Sequence, residues 1–529
     1  MKRSTYRPVV LTIFDGWGVA PPSEGNAITR AKTPNFSEYL RTYPAMTLYA
    51  SGNEVGLLFG EIGNSEVGHL NIGAGRVYYQ SCPRINQAIA DGSFFENQAF
   101  QKAVEHVNSN DSSLHIIGML SSGNVHSSMD HLYALLDLCK RNNLGKKVFI
   151  HAILDGRDCG YNVGITFIKE LRQKMAALKV GEIASISGRF YAMDRDNRWQ
   201  RVERAYRAMS EGVADRKSPD PEQTVLDSYE EKVYDEEFVP TVITDMNGQP
   251  VGQIKNNDAV IFFNFRPDRA RELTKAFVLP AFSGFERQRT ENLFFVTMME
   301  YEKNIPVVVA FEPMVVHNCL GETVSKHGLR QFHVAETEKY GHVTFFLNGT
   351  VEEPFSGEER VLVQSPKVSN YSEVPEMSAA GVTKEAVRAI ESNMYDLIVV
   401  NFANADMVGH TGNLQATIAA CETIDSCLGE IVKHTLARSG VVVLTADHGN
   451  AEELVNLQTN EMDKEHSVNP VPCVIIGEDF QGQAGPGGDP PEGDLSLIAP
   501  VGVLADVAPT VLKLLGLHQP PEMTGVPLI

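Results

Sequence analysis

Six apolar runs, each stopped abruptly by a polar loop, constrain this chain more than any other feature. Residues 8–14 (PVVLTIF) stop at Asp15-Gly16-Trp17-Gly18, and 114–120 (LHIIGML) stop at Ser121-Ser122-Gly123-Asn124-Val125-His126. Residues 148–154 (VFIHAIL) run into Asp155-Gly156-Arg157-Asp158, and 259–265 (AVIFFNF) into Arg266-Pro267-Asp268-Arg269. Residues 397–402 (LIVVNF) lead to Ala403-Asn404-Ala405-Asp406, and 440–446 (GVVVLTA) to Asp447-His448-Gly449. Runs that are apolar throughout, rather than alternating, suit strands of a parallel sheet covered on both faces. Helical stretches lie between them at 129–142, 163–179, 196–212, 380–393 and 414–438. The fold class is therefore α/β. In open α/β sheets, sites form beyond the C-terminal ends of the strands, so these polar loops are where chemistry is expected.

At 529 residues the chain exceeds one typical domain, and two or more are expected. Residues 216–258, rich in Asp, Glu, Pro and Gly, read as an irregular exposed segment, and 478–498 as a mobile Gly/Pro/Asp loop. A net charge of −21 argues against nucleic-acid or anionic-membrane partners. It leaves open a small anionic substrate met by a local arginine cluster. The seven cysteines are scattered and odd in number, without a C-x-x-C, which reads as reduced thiols in a cytoplasmic protein. Cys159, beside Asp158, reads as a buried thiol. The apolar run ending at Asp15 is far short of a signal-peptide core or a membrane span, and no other window approaches that length.

Two constellations stand out. The first resembles a metal site. Asp15 ends the first run, Asp406 and His410 are one helical turn apart, Asp447-His448 end the last run, and His466 lies in a polar loop. Taken singly, Asp15 before Gly-Trp-Gly reads first as a turn residue, Asp406/His410 as a surface pair, His448 as a core histidine and His466 as a loop residue. Together, carboxylates and imidazoles at strand ends offer the ligands that suit Zn²⁺, Mn²⁺ or Mg²⁺. Ser65, in Gly63-Asn64-Ser65-Glu66-Val67-Gly68-His69, sits where a helix begins. It reads either as an N-cap or as a nucleophile that such a metal site would activate.

The second constellation is cationic. Arg157, Arg189, Arg195, Arg266 and Arg269 lie in polar segments between 155 and 270, several beside an aspartate. Arginine matches carboxylate and phosphate in a bidentate fork, although each Asp–Arg neighbour pair also has a purely structural reading. His126 is a further candidate for contact with an anion.

These motifs recur together with Ser187-Gly188-Arg189-Phe190-Tyr191-Ala192-Met193-Asp194-Arg195, Ala335-Glu336-Thr337-Glu338-Lys339-Tyr340 and His466-Ser467-Val468-Asn469-Pro470-Val471-Pro472. As a set, in this order and over almost the whole length, they resemble the cofactor-independent (2,3-bisphosphoglycerate-independent) phosphoglycerate mutases of the alkaline phosphatase superfamily. The resemblance implies a discontinuous metal-binding domain, 1–79 with 311–529, and an inserted substrate-binding α/β domain, 80–310. It implies one metal on Asp406, His410 and His466 and another on Asp15, Ser65, Asp447 and His448, with Mn²⁺ usual and Mg²⁺ or Co²⁺ in some members. The implied reaction moves a phosphoryl group from 3-phosphoglycerate to Ser65 and back to the 2-hydroxyl of retained glycerate, with the inserted domain closing to exclude water. Arg157, Arg189, Arg195, Arg266 and Arg269 would hold carboxylate and phosphate. Asp158 would be the general acid/base, His126 a substrate contact, and Lys339 the stabiliser of the transferring group. A monomer is expected.

Two loops depart from the family pattern. Gly123-Asn124-Val125-His126-Ser127-Ser128 stands where Gly-Gly-Val-His-Ser-His is usual, and Cys159-Gly160-Tyr161-Asn162 replaces a proline-rich continuation. The alternatives are a metal-dependent phosphomonoesterase on the same scaffold and a non-catalytic metal-stabilised binding protein.

Overall fold

The computed structural model describes residues 6–456 and 459–529. The chain forms two compact units, Met1–Gln80 with Val315–Ile529, and Ser81–Met314. Each is built on one eight-stranded sheet.

In the first unit the strands run in the order Glu358–Val363, Gln331–Glu336, Leu397–Phe402, Val9–Phe14, Val441–Thr445, Val471–Ile476, Ala45–Tyr49 and Gly502–Val503. The first five are mutually parallel, Val471–Ile476 is antiparallel to both its neighbours, and the last pair is parallel. Val9–Phe14 lies between Leu397–Phe402 and Val441–Thr445, and every residue of all three is buried. A strand covered on both faces has no solvent side to reserve for polar residues, which is why these runs do not alternate. Helices Ala379–Ser392 and Leu414–Leu436 contribute Ala386, Ile390, Ile424, Leu428 and Ile431 to that core.

The second unit repeats the logic, in the order Val308–Phe311, Phe294–Met299, Ala259–Phe262, Leu114–Leu120, Val148–Leu154, Glu182–Gly188, Thr241–Ile243 and Arg216–Ser218. Here too the interior is parallel, and the last two strands, Thr241–Ile243 and Arg216–Ser218, are parallel to each other and run against the rest, Thr241–Ile243 pairing antiparallel with Glu182–Gly188.

Three local expectations need correction. Residues 216–258 contain two paired strands and the helix Pro221–Glu230, whose N-cap Asp220 accepts from the Glu222 N–H at 2.9 Å. Strands of three residues are too short to register as apolar runs, and Asp-Pro reads as a turn before it reads as a cap followed by N1. The 478–498 segment is anchored: Gly482 N–H donates to the Thr42 carbonyl at 2.8 Å, and Leu495 is buried in the core. Cys159 is half-buried in a polar loop, unlike the other six cysteines, which are buried; all seven are free thiols. Among the described residues no helix is long and apolar enough to cross a membrane.

Candidate active site

Ser65 opens the helix Ser65–Ala74, but it is not the cap. Asn64, with extended backbone (φ −153°, ψ 161°), takes that role, its Oδ1 accepting from Val67 N–H at 3.0 Å. The cap reading of Ser65 is thereby corrected, since a cap needs the non-helical backbone that Asn64 supplies. The Ser65 hydroxyl is left free to face a polar cluster. Glycines let this helix approach so closely. A Cβ on Gly68 would lie 2.5 Å from the Asp447 carbonyl, and one on Gly63 would lie 2.8 Å from His448 Cβ.

Around Ser65 Oγ stand Lys339 Nζ at 2.7 Å, His448 Nε2 at 2.9 Å and Asp15 Oδ1 at 3.1 Å. Lys339, on the turn after Gln331–Glu336, also reaches Asp15 Oδ1 at 2.6 Å and Asp406 Oδ2 at 2.7 Å. Burial, the largest single influence, opposes charge on Asp15 and Asp406, but the Lys339 ammonium and the neighbouring imidazoles together outweigh it and hold both carboxyls well below the usual range. Burial likewise opposes charge on His448, yet the carboxylates of Asp447, Asp15 and Asp406 hold it up at about 9. The cluster is buried, anion-rich and drawn from strand ends distant in sequence.

The donor set fits divalent ions. His410 Nδ1 donates to the Lys464 carbonyl at 2.7 Å and His466 Nδ1 to the Gly63 carbonyl at 2.8 Å. Each ring therefore turns its Nε2 to the cluster, and the two Nε2 atoms are 3.0 Å apart. Asp406 Oδ1 lies 3.3 Å from one and 3.1 Å from the other. Three such donors converging on one point call for a cation. Asp447 Oδ2 is a buried oxygen with no hydrogen-bond partner, a second mark of a cradle. Among the described residues, ligand atoms of Asp406, His448 and His466 lie within 4.8 Å of one another, as do those of Asp15, His69 and Asp447.

His69 and Asn401 are site residues the sequence reading did not single out. His69 Nδ1 donates to the Ser65 carbonyl at 2.9 Å, so that nitrogen carries a proton and supports the serine's turn of helix. Asn401 Nδ2 donates to Asp15 Oδ2 at 2.9 Å and lies 3.0 Å from His69 Nε2. A signal existed for both: His69 is one helical turn from Ser65, and Asn401 is the one strongly polar residue in LIVVNF.

In the second unit the structure gathers the cationic residues at the C-terminal strand ends. Arg189 follows Glu182–Gly188 and is almost wholly buried, with Nη1 2.5 Å from Asp155 Oδ1 and 2.7 Å from Asp158 Oδ2. Arg195 Nη1 lies 3.0 Å from Asp268 Oδ2, and Arg266 Nε 3.3 Å from Asp268 Oδ1. Arg269 donates from Nη1 to the Met193 carbonyl at 3.1 Å, and Arg157 lies 3.5 Å from Glu236. Burial, then the neighbouring charges of Arg195 and Arg189, lower the Arg269 pKa, as expected where cations are crowded. His126 sits among Asp268 (3.6 Å), Asp158 (4.0 Å) and these arginines. Burial and the Arg189 charge push its pKa down to about 4, so it is neutral near pH 7.

Asp155 is a further residue not singled out as functional. It accepts from Ser121 Oγ at 2.5 Å and from the N–H groups of Arg157 and Asp158 at 3.2 and 3.1 Å, so it shapes the loop. One of the two loop departures has a local explanation. Asn124, where the family has glycine, takes the left-handed backbone (φ 52°), a conformation asparagine tolerates better than most residues. Gly123 packs so that a Cβ would lie 2.3 Å from the Asp158 carbonyl.

Two α/β units, one with a buried serine among carboxylates, imidazoles and a lysine, the other with clustered arginines, define a class of phosphate-handling protein. The comparisons with known proteins specify it. Residues 85–303 match the family model described as the BPG-independent PGAM N-terminus. The chain is 49% identical to the 2,3-bisphosphoglycerate-independent phosphoglycerate mutase of Chloroflexus aggregans, over 99% of this chain and 98% of that one. It is 48% identical to the enzyme of that name from Clostridium perfringens, over 99% of both. A crystal structure of Leishmania mexicana phosphoglycerate mutase at low cobalt concentration is 31% identical, covers 99% of this chain and 98% of its own, and superposes with a TM-score of 0.57. The chain belongs to the 2,3-bisphosphoglycerate-independent phosphoglycerate mutase family.

Proposed function

We propose that this chain is an isomerase that interconverts 3-phosphoglycerate and 2-phosphoglycerate through a phosphoserine at Ser65, without 2,3-bisphosphoglycerate. The observation that carries the reading is the hydroxyl of Ser65, held in a buried cluster within 3.1 Å of Lys339, His448 and Asp15. The first unit is the catalytic one and the second binds the glycerate portion of the substrate.

Two divalent ions complete the first cluster, of the Mn²⁺ type, with Mg²⁺ or Co²⁺ as substitutes. Asp406, His410 and His466 would hold one, and Asp15, Ser65, Asp447 and His448 the other. When bound, such ions lower the pKa of the serine hydroxyl and offset phosphoryl charge.

The chain's own residues do the rest. Ser65 Oγ, as the alkoxide, attacks phosphorus, the bond from phosphorus to the substrate's 3-oxygen breaks, and that oxygen takes a proton from the protonated Asp158 carboxyl, so that Ser65 leaves the second step as the alkoxide again and Asp158 as the acid. Asp158 then removes the proton of the 2-hydroxyl, which attacks the phosphoserine and releases Ser65. Lys339 donates to the phosphoryl oxygens as they pass, a role that its 2.7 Å approach to Ser65 Oγ supports. Arg157, Arg195, Arg266 and Arg269 bind carboxylate and phosphate, and Arg189 holds Asp158 in place while contributing positive charge. His126, neutral, contacts the substrate by hydrogen bonding. We place the activity in the cytoplasm and expect a monomer.

The test is conversion of 3- to 2-phosphoglycerate followed by ³¹P NMR, with no bisphosphate added, before and after chelation. Conversion that is abolished by the chelator and restored by Mn²⁺ is expected. Release of inorganic phosphate at the rate of substrate loss would establish the phosphomonoesterase instead.

A further inference from the structure

Glu452 is a buried carboxylate that the reaction does not use, only 2% exposed. Among the described residues it forms no salt bridge. Four donors converge on it instead. Its Oε2 accepts from the Gly18 N–H at 3.0 Å and the Asn450 N–H at 2.8 Å. Its Oε1 accepts from Asn469 Nδ2 at 3.0 Å and from the Ser467 hydroxyl.

These donors belong to different loops. Gly18 follows Asp15, Asn450 follows Asp447 and His448, and Ser467 follows His466. Asn450 extends the connection to the helix Asn404–Gly409, its Nδ2 donating to Asp406 Oδ1 at 2.9 Å. The bridge Gly449↔Ser467 joins the second and third loops through the backbone, with Ser467 N–H donating to the Gly449 carbonyl at 3.0 Å. Across that bridge the rings of His448 and His466 stack at 3.9 Å. The carboxylate fits without spare room: a Cβ on Gly18 would lie 2.2 Å from Glu452 Cδ, and one on Gly449 2.3 Å from Oε1.

We propose that Glu452 is a positioning residue that fixes the spacing of the candidate metal ligands, holding the loops of Asp15, His448 and His466 in register. The proposal rests on the two-metal reading of the site. Its chemistry explains the residue type. Four donors need four lone pairs, and a carboxylate only accepts. A glutamine of the same shape would turn its NH₂ toward two of the four donors and push one pair of loops apart. Groups that orient metal ligands without touching the ion typically alter affinity by about 10–100-fold when removed.

The experiment measures Mn²⁺ affinity of the full-length protein after chelation, by the electron paramagnetic resonance signal of free Mn²⁺, for the parent chain, Glu452→Gln and Ser467→Ala. The expected result is affinity about 10–100-fold weaker for Glu452→Gln. For Ser467→Ala, which loses one of the four donors and leaves the carboxylate in place, a smaller loss of about three- to tenfold is expected. A purely structural role would lower the thermal midpoint of the metal-free variants and leave affinity within about twofold, and that result overturns the proposal. Should Glu452→Gln fail to fold, Ser467→Ala decides by the same criterion. If the parent chain itself binds no Mn²⁺, the two-metal reading fails and the proposal with it, an outcome visible before any variant is compared.

Discussion

Asp15, Asp406 and Asp447 are at most 1% exposed, whereas the side chains of Arg157, Arg195 and Arg266 keep about half their surface open. Both clusters sit beyond the C-terminal ends of parallel strands, and both carry the charge that phosphate chemistry needs, but with opposite sign and opposite access to water. A buried anionic cluster is stable only with cations inside it, here Lys339 and the ions its donor set fits. A half-open cationic cluster can wait in water for its anion. Arg189 is the exception, almost as buried as the aspartates and doubly paired with Asp155 and Asp158.

The contrast can be broken at several points. The largest effect is expected at Ser65. Ser65→Ala should lower kcat by roughly 10⁴-fold or more, because a covalent route has no substitute nucleophile. Mn²⁺ binding should largely survive, and retained turnover would remove Ser65 from the mechanism.

Lys339→Met asks whether the buried anions depend on a cation. Removing one partner of a buried pair costs about 3–5 kcal/mol, so the metal-free variant should unfold at clearly lower denaturant concentration. Added Mn²⁺ should recover much of the loss, which denaturation curves with and without the ion would reveal. Equal losses under both conditions would show that the lysine and the ions do not share that charge.

Within the cationic cluster, Arg189→Ala and Arg266→Ala should behave differently. The first leaves Asp155 and Asp158 unpaired and should destabilise by about 3–5 kcal/mol. The second should change stability by less than about 0.5 kcal/mol and raise KM about 10–100-fold. Matching stability losses would erase the distinction between the two arginines.

The last test concerns pH. Glu336, three residues before Lys339, is buried and accepts from Ser365 Oγ at 2.9 Å. Burial raises its carboxyl to about 7 from the ordinary 4.5. The folded state therefore keeps a proton that the unfolded state releases. The stabilisation is full below the unfolded pKa of 4.5 and is lost as pH rises through about 7. Glu336→Gln cannot ionise, so its stability relative to the parent chain should improve by up to about 3 kcal/mol across that window. A pH-independent difference between the two would contradict the raised pKa.

The sheets were legible in the sequence because a doubly covered parallel strand has to be apolar at every position, and the strand ends then marked where Asp15, Asp406, Asp447 and Arg266 belong. Features set by local backbone detail were less legible. Nothing in Gly63-Asn64-Ser65 alone says which residue caps the helix, since asparagine and serine cap about equally well. Three-residue strands such as Thr241–Ile243 carry too little pattern to be seen. The supporting residues were the hardest. Asn401 and His69 left local traces, but the donors to Glu452 include Gly18, 434 residues away in sequence, and only folding brings them together.

The central claim is that Ser65 carries the phosphoryl group between two positions of one substrate. Rapid acid-stable quenching of the Mn²⁺-loaded enzyme with 3-phosphoglycerate labelled in its phosphoryl group, followed by peptide mass spectrometry, tests it most directly. The label should appear on the peptide containing Ser65, at a rate no slower than turnover, and vanish in Ser65→Ala. Turnover with the label on another residue, or on none, would contradict the account.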